Sequence, residues 1–239
     1  MFAQRYLPQR SLPQRFLAQP VAAEAIGTAF LVAAVIGSGI MAERLSPNDV
    51  GLQLLENAFA TAGVLLALIL ALGPLSGAHF NPIVTLNEWA RGTLSGVEAM
   101  WYVGAQFVGG VGGAMAANIM FELPAINIAT KDRSGFALIF SEGIATIGLL
   151  LVIFGVVTAG RPSYAAATVA GYIGGAYWFT SSTSFANPAV TVARTLSDSF
   201  AGIDPANAIG FIAAQTVAGV LGIGLMRWLF AQPAQSSQS

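Results

Sequence analysis

The chain has 239 residues, of which 55% are hydrophobic and 9% are charged, and its formal net charge is −1. A soluble domain typically carries about 25% charged residues, so this deficit indicates lipid rather than water as the solvent. The near-neutral charge argues against nucleic acid as a partner. Cysteine is absent and His79 is the single histidine, which excludes thiol chemistry and a histidine cluster for a metal. We expect no cofactor and no enzymatic activity.

Six apolar runs predict six membrane-spanning helices, because a bilayer core of about 30 Å requires about 20 helical residues. Arg5, Arg10 and Arg15 precede the first run, so residues 1–19 are interpreted as a basic cytoplasmic tail. The predicted spans cover residues 20–41, 54–72, 97–121, 135–157, 162–181 and 205–230.

Two further apolar stretches, starting at Asn81 and Asn187, are too short to span a membrane. Each has 11 residues, which as helix is about 16 Å, roughly half of the hydrocarbon thickness. In both, asparagine is followed by proline, Pro82 or Pro188, and proline is favoured at the first helical position. We therefore predict two half-helices that begin at these Asn-Pro pairs.

The two halves of the chain repeat one another. Glu24 lies in E-A-I-G-T and Glu142 in E-G-I-A-T, each in the first span of its half, and Gln106 and Gln215 match in the third spans. Three spans per copy is an odd number, so the copies must lie in opposite orientation. The predicted fold is an all-α membrane protein with six transmembrane helices, two half-helices and an inverted 3+3 repeat. Its predicted parts are the tail 1–19, the first repeat 20–121, an extracellular linker 122–134, the second repeat 135–230 and a cytoplasmic tail 231–239.

Inversion brings the two half-helix starts together near the bilayer midplane. The side-chain oxygen of an N-cap asparagine accepts a backbone N–H, which leaves the amide NH₂ of Asn81 and Asn187 free to donate into a lumen. Both helix N-termini carry partial positive charge. A permeating oxygen can accept hydrogen bonds at this point, whereas a cation meets a positive barrier.

The arginine distribution gives the expected orientation. With the N-terminus inside, six arginines are cytoplasmic and four Lys or Arg residues are outside, so both termini are expected in the cytoplasm. The expected location is the cell (inner) membrane.

The motifs S-G-A-H-F-N-P at 76–82 and N-P-A-V-T at 187–191 resemble the signature loops of the aquaporin and glycerol-facilitator family. The resemblance covers about residues 20–230. It implies a six-helix bundle, a homotetramer with one pore per subunit, and passive flux of small uncharged solutes. Ile83 stands where alanine is usual in the family, and we expect this change to affect helix packing more than the lumen.

A second departure lies at the outer constriction. The family usually has arginine three residues after the second signature asparagine, and here that position is Val190. Carried over by spacing, the other filter positions are Thr61, Gly175 and Ser184. Small residues there imply a wide opening, and valine removes charge and donors. Some bacterial members that lack this arginine resemble the present chain and are associated with arsenic resistance, and this resemblance implies arsenous acid or methylated arsenicals as solutes beside glycerol-like polyols and water.

Glu24 and Glu142 lie inside spans, where an ionisable residue is by default functional. Either they form a proton relay or they accept backbone N–H groups and brace the loop before each half-helix, and their symmetric placement favours bracing. His79 is interpreted as a loop-stabilising residue, with a pH gate as the alternative. The preferred function is a multi-solute channel. The alternatives are a water-selective aquaporin, a proton-coupled secondary transporter and a membrane junction protein without flux.

Overall fold

The computed structural model describes residues 14–230, and the statements below concern these residues. It is an all-helical bundle in which a 3₁₀ turn, Pro162–Tyr164, precedes α6. The helices are α1 (Gln14–Leu45), α2 (Val50–Ser76), α3 (Pro82–Ala90), α4 (Gly96–Met120), α5 (Phe136–Thr158), α6 (Ala165–Phe179), α7 (Pro188–Arg194) and α8 (Pro205–Leu229).

Six long elements and two half-helices confirm the predicted fold class. Within the described ranges, α1, α2, α4, α5 and α8 are each long and apolar enough to cross a membrane. Helix α6 has 15 residues and is extended at its start by the three-residue 3₁₀ turn. Helix α1 begins at Gln14, six residues before the predicted start at Pro20. Pro20 therefore lies inside the helix, where proline removes one backbone hydrogen bond. Residues 1–13 of the predicted tail, and 231–239, lie outside the described residues.

The two repeats pack in the same way. Helix α1 lies along α4, and α5 lies along α8, their counterparts in the second half. The backbones of α1 and α4 approach very closely where they cross. A Cβ added to Gly109 would lie 2.0 Å from the carbonyl oxygen of Ala25, and one added to Gly113 would lie 2.2 Å from that of Ala29. Small residues allow this approach of two backbones in a membrane.

Each half-helix packs on the last long helix of the other repeat. Helix α7 contacts α4, where a Cβ on Gly110 would lie 3.2 Å from the Ala189 carbonyl oxygen. Helix α3 contacts α8, where a Cβ on Gly219 would lie 2.8 Å from the Ile83 side chain. Ile83 is buried in a cluster with residues of α5 and α8. The isoleucine side chain therefore packs against a glycine, Gly219, on α8. Its contacts are with neighbouring helices, which is where we expect the departure from alanine to act.

The connection between the repeats, residues 122–134, is more than a linker. Its backbone pairs with the end of α7, since Asn127 N–H donates to Leu196 O and Ala129 N–H donates to Thr195 O. The amide of Asn118, in α4, also donates to the Leu196 carbonyl. We call the side of the bundle that carries this connection the loop side, and the opposite one the termini side.

Candidate pore site

Asn81 and Asn187 are the N-caps of the two half-helices, as their Asn-Pro sequences predict. The side-chain oxygen of Asn81 accepts the N–H of Ile83 at 2.9 Å. That of Asn187 accepts the N–H of Ala189 at 3.0 Å and of Val190 at 3.2 Å. Pro82 and Pro188 occupy the first helical positions, where the missing N–H has no intrahelical partner to lose.

The two asparagines meet through a reciprocal pair of hydrogen bonds. The amide nitrogen of Asn81 donates to the carbonyl of Ala186 at 2.7 Å, and that of Asn187 donates to the carbonyl of Phe80 at 2.7 Å. Each amide has two protons, so one proton of each stays free of this cross-loop bond. Both side chains are 5% exposed. The structure thus brings the two loops together at the bundle centre and leaves one donor of each amide for a third group.

Both loops have the same unusual backbone. Ala78 and Phe80 in the first loop have φ of 51° and 48°, and Ser184 and Ala186 in the second have φ of 52° and 47°. Non-glycine residues with positive φ are uncommon and cost of order 1–3 kcal/mol each. Such a backbone persists only where the surroundings hold it, and two carboxylates do so here.

Glu24 braces the first loop from α1. Its Oε1 accepts the N–H of His79 at 2.9 Å and the hydroxyl of Ser76 at 2.6 Å, and its Oε2 accepts the N–H of Phe80 at 2.7 Å and the Gln106 amide at 2.8 Å. The side chain is fully buried. Four donors engage both oxygens, the arrangement of a structural acceptor rather than of a relay, which requires an oxygen that can exchange a proton with the lumen.

Glu142 does the same for the second loop from α5. Its oxygens accept the N–H groups of Phe185 at 2.9 Å and Ala186 at 2.8 Å, and the amide of Gln215 at 2.6 Å. It is likewise fully buried. The bracing predicted from the repeat symmetry agrees with these contacts, and each glutamine joins the last long helix of its repeat to the glutamate.

His79 lies beside this network on the termini side. Its Nδ1 is 3.1 Å from the hydroxyl of Thr85, and its ring centroid is 5.4 Å from that of Tyr102. Its backbone N–H is one of the donors to Glu24. These contacts hold the histidine against the loop, as a stabilising role requires.

Three of the four predicted filter residues lie in the interior on the loop side of the asparagines. Thr61 in α2, Val190 in α7 and Ser184 in the second loop are all buried. Val190 belongs to the same hydrophobic cluster as Tyr177 of α6. The Ser184 hydroxyl is buried without a hydrogen-bond partner among the described residues. An unpaired buried hydroxyl at this place suits a solute oxygen.

Gly175 does not lie among these buried residues, and its place in the filter stays a prediction. It lies on the exposed face of α6 with Trp178 and Phe179, which are 52% and 59% exposed, and a Cβ added to it would meet no atom within 4 Å. Tyr177, two residues on, points about 200° away around the helix. Its hydroxyl lies 3.1 Å from that of Thr61. The α6 residue in contact with Thr61 is thus a tyrosine.

Two guanidinium groups on the loop side are buried, although the position of Arg194, one turn beyond Val190 in the half-helix, predicts that it lies nearer the extracellular surface. Arg194, the last residue of α7, is 1% exposed and lies over the ring of Phe185 at 3.3 Å from its centroid. Arg133, from the connection 122–134, is 7% exposed and lies 5.1 Å from the same centroid. Arg133 was interpreted only as part of a linker, because a loop conformation has no periodicity to read. Tyr177 was within reach of sequence analysis, since Ala166, Ala170, Ile173 and Tyr177 form the buried stripe of α6.

Comparisons with known proteins agree with this geometry. The major intrinsic protein (MIP) family pattern matches residues 12–182. Aquaglyceroporin AqpS of Rhizobium meliloti (strain 1021) is 46% identical over 211 residues, which cover 88% of this chain and 89% of that protein. The probable aquaporin AqpM of Archaeoglobus fulgidus is 32% identical over 184 residues, 72% of this chain and 73% of that protein. The X-ray structure of the aquaglyceroporin from Plasmodium falciparum matches with a TM-score of 0.68 at 18% identity, over 90% of this chain and 96% of that one, and this likeness concerns the fold.

Proposed function

This chain belongs to the major intrinsic protein family, whose aquaglyceroporins are channels and not enzymes, and we propose that it is a passive channel for glycerol-like polyols, water and arsenous acid. That it is a multi-pass membrane protein for small solutes follows from the family and from its apolar helices. The observation that carries the proposal is the reciprocal bonding of Asn81 and Asn187 at the bundle centre.

The two amides give the centre its chemistry. One proton of each amide is held by the opposite loop, so the other has a fixed direction and donates to a passing oxygen. A chain of waters or a polyol accepts such bonds, whereas a cation loses its hydration shell and gains no acceptor from the amide protons. Neutral hydroxylated solutes therefore pass in preference to ions.

We propose that the outer constriction consists of Thr61, Tyr177, Ser184 and Val190. Tyr177 replaces Gly175 in the set inferred by spacing, and the bond between its hydroxyl and Thr61 joins α6 to α2. Hydroxyl groups on three members and an isopropyl group on Val190 form a surface with polar and apolar parts. A polyol, with a carbon side and a hydroxyl side, matches such a surface better than water alone does.

Arsenous acid belongs to the same class of solute. As a neutral trihydroxide it offers oxygens to the asparagine amides as glycerol does, and Val190 places no fixed cation where the family usually has one. We further propose that the chain forms a homotetramer in an inner cell membrane with both termini in the cytoplasm, which places the loop side outside the cell. The Rhizobium relative's description as an aquaglyceroporin supports glycerol as one of the solutes.

Osmotic swelling of proteoliposomes tests the function directly. Purified protein is reconstituted and exposed in parallel to gradients of sucrose, glycerol and arsenite at neutral pH, with empty liposomes as the reference. We expect glycerol and arsenite uptake well above that of empty liposomes. Water flux without glycerol or arsenite flux would establish the water-selective alternative, and a flux that follows an imposed proton gradient would establish a coupled transporter.

The constriction is tested by a matched pair of variants in α6. Tyr177→Ala removes the ring beside Thr61, so glycerol flux is expected to rise several-fold. Gly175→Ala adds a methyl group on the exposed face of α6, where it meets no atom within 4 Å, so glycerol flux is expected to stay unchanged. The opposite pattern would restore Gly175 to the filter. Val190→Arg is expected to lower glycerol flux below that of the parent channel.

A further inference from the structure

The loop side of the second re-entrant loop carries an unusual concentration of buried positive charge. Arg194 and Arg133 share one aromatic ring, that of Phe185, which lies two residues before Asn187. Lys131 stands beside them, with its ammonium donating to the carbonyl of Phe200 at 2.8 Å and lying 4.4 Å from the Phe200 ring. The cluster formed by Lys131, Arg133 and Arg194 is called the outer cationic cluster below.

No carboxylate forms an ion pair with this cluster in the part of the chain that the structure describes. Between residues 14 and 230 the one ion pair is Arg91 with Glu88, at the end of α3 on the termini side. The three cations are instead held by carbonyl oxygens and aromatic faces. Two carboxylates, Glu142 near the arginines and Glu43 near Lys131, oppose three cations, so a net positive charge remains. Buried charges are normally paired, so two buried guanidinium groups without an ion pair beside a pore indicate a function.

Arg133 is fixed in place by the loop that leads to the second asparagine. Its Nη1 donates to the carbonyl of Ser182 at 3.3 Å, its Nη2 to Phe200 O at 3.1 Å and its Nε to Gly202 O at 2.8 Å. Ser182 lies five residues before Asn187. The guanidinium group is therefore tied to the loop that lines the proposed constriction, although it comes from the connection between the repeats.

Arg194 keeps most of its donors available. Its Nε donates to the carbonyl of Ala201, and among the described residues its two terminal nitrogens have no hydrogen-bond partner. The Ser184 hydroxyl, next to Phe185 in sequence, is also unpaired. Two unpaired polar groups on either side of Phe185 indicate that water or a solute oxygen completes them.

We propose that Arg194 and Arg133 together supply the positive charge that the constriction lacks at Val190, so that the channel excludes cations despite the valine. The barrier is displaced by about one helical turn toward the loop side and is held partly by the connection 122–134. This inference rests on the proposed channel function and adds to it the residues that carry ion exclusion.

The effect follows from charge alone. One net unit of positive charge about 10 Å from a permeating cation, at an effective dielectric constant of about 20, lowers the occupancy of that cation at least about tenfold. Neutral solutes are not affected by the charge. Burial, and then the neighbouring charges of Arg133 and Arg194, lowers the pKa of Lys131 to about 8, although Glu43 raises it.

The test measures ion leak and neutral flux in the same proteoliposomes. Sodium and proton entry are followed with trapped indicators under an imposed potassium diffusion potential, and glycerol entry is followed by light scattering. The variants are Arg133→Gln, Arg133→Lys and Arg194→Gln. Arg44→Gln is the matched control, because Arg44 also lies over an aromatic ring on the loop side, 5.0 Å from the Phe121 centroid, but away from the second re-entrant loop.

We expect Arg133→Gln and Arg194→Gln each to raise cation leak at least about tenfold with glycerol flux retained, while Arg133→Lys and Arg44→Gln stay as tight as the parent. Unchanged leak in both glutamine variants with glycerol flux intact would overturn the inference. Equal leak in Arg133→Gln and Arg133→Lys would also overturn it, because the role would then be the fork geometry of the loop contacts and not charge. If one glutamine variant fails to fold, the other decides. Absence of glycerol flux in the parent would instead contradict the proposed function.

Discussion

The two re-entrant loops, 77–81 and 183–187, share a backbone and differ in their surroundings. Both have positive φ at repeat-related positions, both donate two N–H groups to a buried glutamate, and both accept one bond from the asparagine of the other loop. Two residues before the asparagine, however, the first has His79 and the second has Phe185. The histidine bonds to Thr85, whereas the phenylalanine ring supports two arginines.

The comparison separates what the centre of the pore needs from what its two ends need. The centre requires two asparagines at fixed positions, and any change in the bracing of one loop would displace both. The ends face different solutions, so their side chains are free to diverge. The next four predictions test this division, from the largest expected effect to the smallest.

Substitutions of the two glutamates are expected to give the largest losses of stability. The loss at Glu24 is expected to exceed the loss at Glu142. Glu24→Leu leaves four donors unpaired and Glu142→Leu leaves three. At about 1–3 kcal/mol for each buried unsatisfied donor, both variants lose several kcal/mol, and Glu24→Leu loses more. Thermal unfolding in detergent measures the difference, with Glu122→Gln in the exposed connection as the control. A larger loss for Glu142→Leu would contradict the assigned contacts.

The asparagines are expected to give smaller and equal effects. Asn81→Ala and Asn187→Ala each remove one helix cap and one cross-loop bond, a loss of about 1–3 kcal/mol in unfolding free energy. Asn187 accepts one cap bond more than Asn81, a long one at 3.2 Å that contributes little, so the two losses should agree within about 1 kcal/mol. Glycerol flux should fall in both variants. A neutral result for one asparagine and a large loss for the other would show that the loops are not equivalent at their centre.

The half-helices differ in how they pack, and a double-mutant cycle tests this. Gly219→Ala places a Cβ 2.8 Å from the Ile83 side chain, so it is expected to destabilise by about 1 kcal/mol. In the Ile83→Ala background the same change has room, and it should be neutral or stabilise by up to about 1 kcal/mol, because alanine restricts the unfolded chain. Equal effects in the two backgrounds would show that Gly219 does not make room for Ile83.

The smallest effect is a pH dependence of stability from the outer cationic cluster. The pKa of Lys131, about 8 in the folded protein, is below its ordinary value of 10.5, so the unfolded chain binds more protons between these values. Stability should therefore rise as pH increases from about 8 to 10. The cause is burial, then Arg133 and Arg194, with Glu43 opposing them.

Chemical unfolding at pH 7 and pH 9.5 measures the slope, and Lys131→Met should reduce it. The comparison is clear because Lys131 is the only lysine in the sequence. A slope that persists in Lys131→Met would assign the pH dependence to another group.

Much of the centre could be predicted from the sequence because the chain contains two copies of it. Asn81 and Asn187 are caps by residue type, and the glutamates were identified as braces because a proton relay rarely has a symmetric duplicate. Ile83 was assigned to packing, and it lies in the cluster between α3, α5 and α8. In each case the prediction for one repeat could be compared with the matching residues of the other repeat.

The periphery could not be predicted in the same way. Gly175 was selected by counting 12 residues back from Asn187, which assumes the family's loop length, whereas the interior residue Tyr177 is ten residues back. Two residues along a helix are separated by about 200° around its axis, so one of them can be buried while the other is exposed. Arg133 lies in irregular backbone, where the sequence gives no periodicity from which to infer burial.

The reciprocal asparagine bonds also constrain how such a protein is assembled. A single repeat has an amide and a loop carbonyl that only an inverted copy can satisfy. During biosynthesis the first three long helices enter the bilayer with this pair unmet, and it is completed only after the second half has been inserted with opposite topology. A chain cut within residues 122–134 should therefore regain its centre only from fragments that insert in opposite orientations, which makes membrane topology, rather than covalent continuity, the requirement for closing the channel.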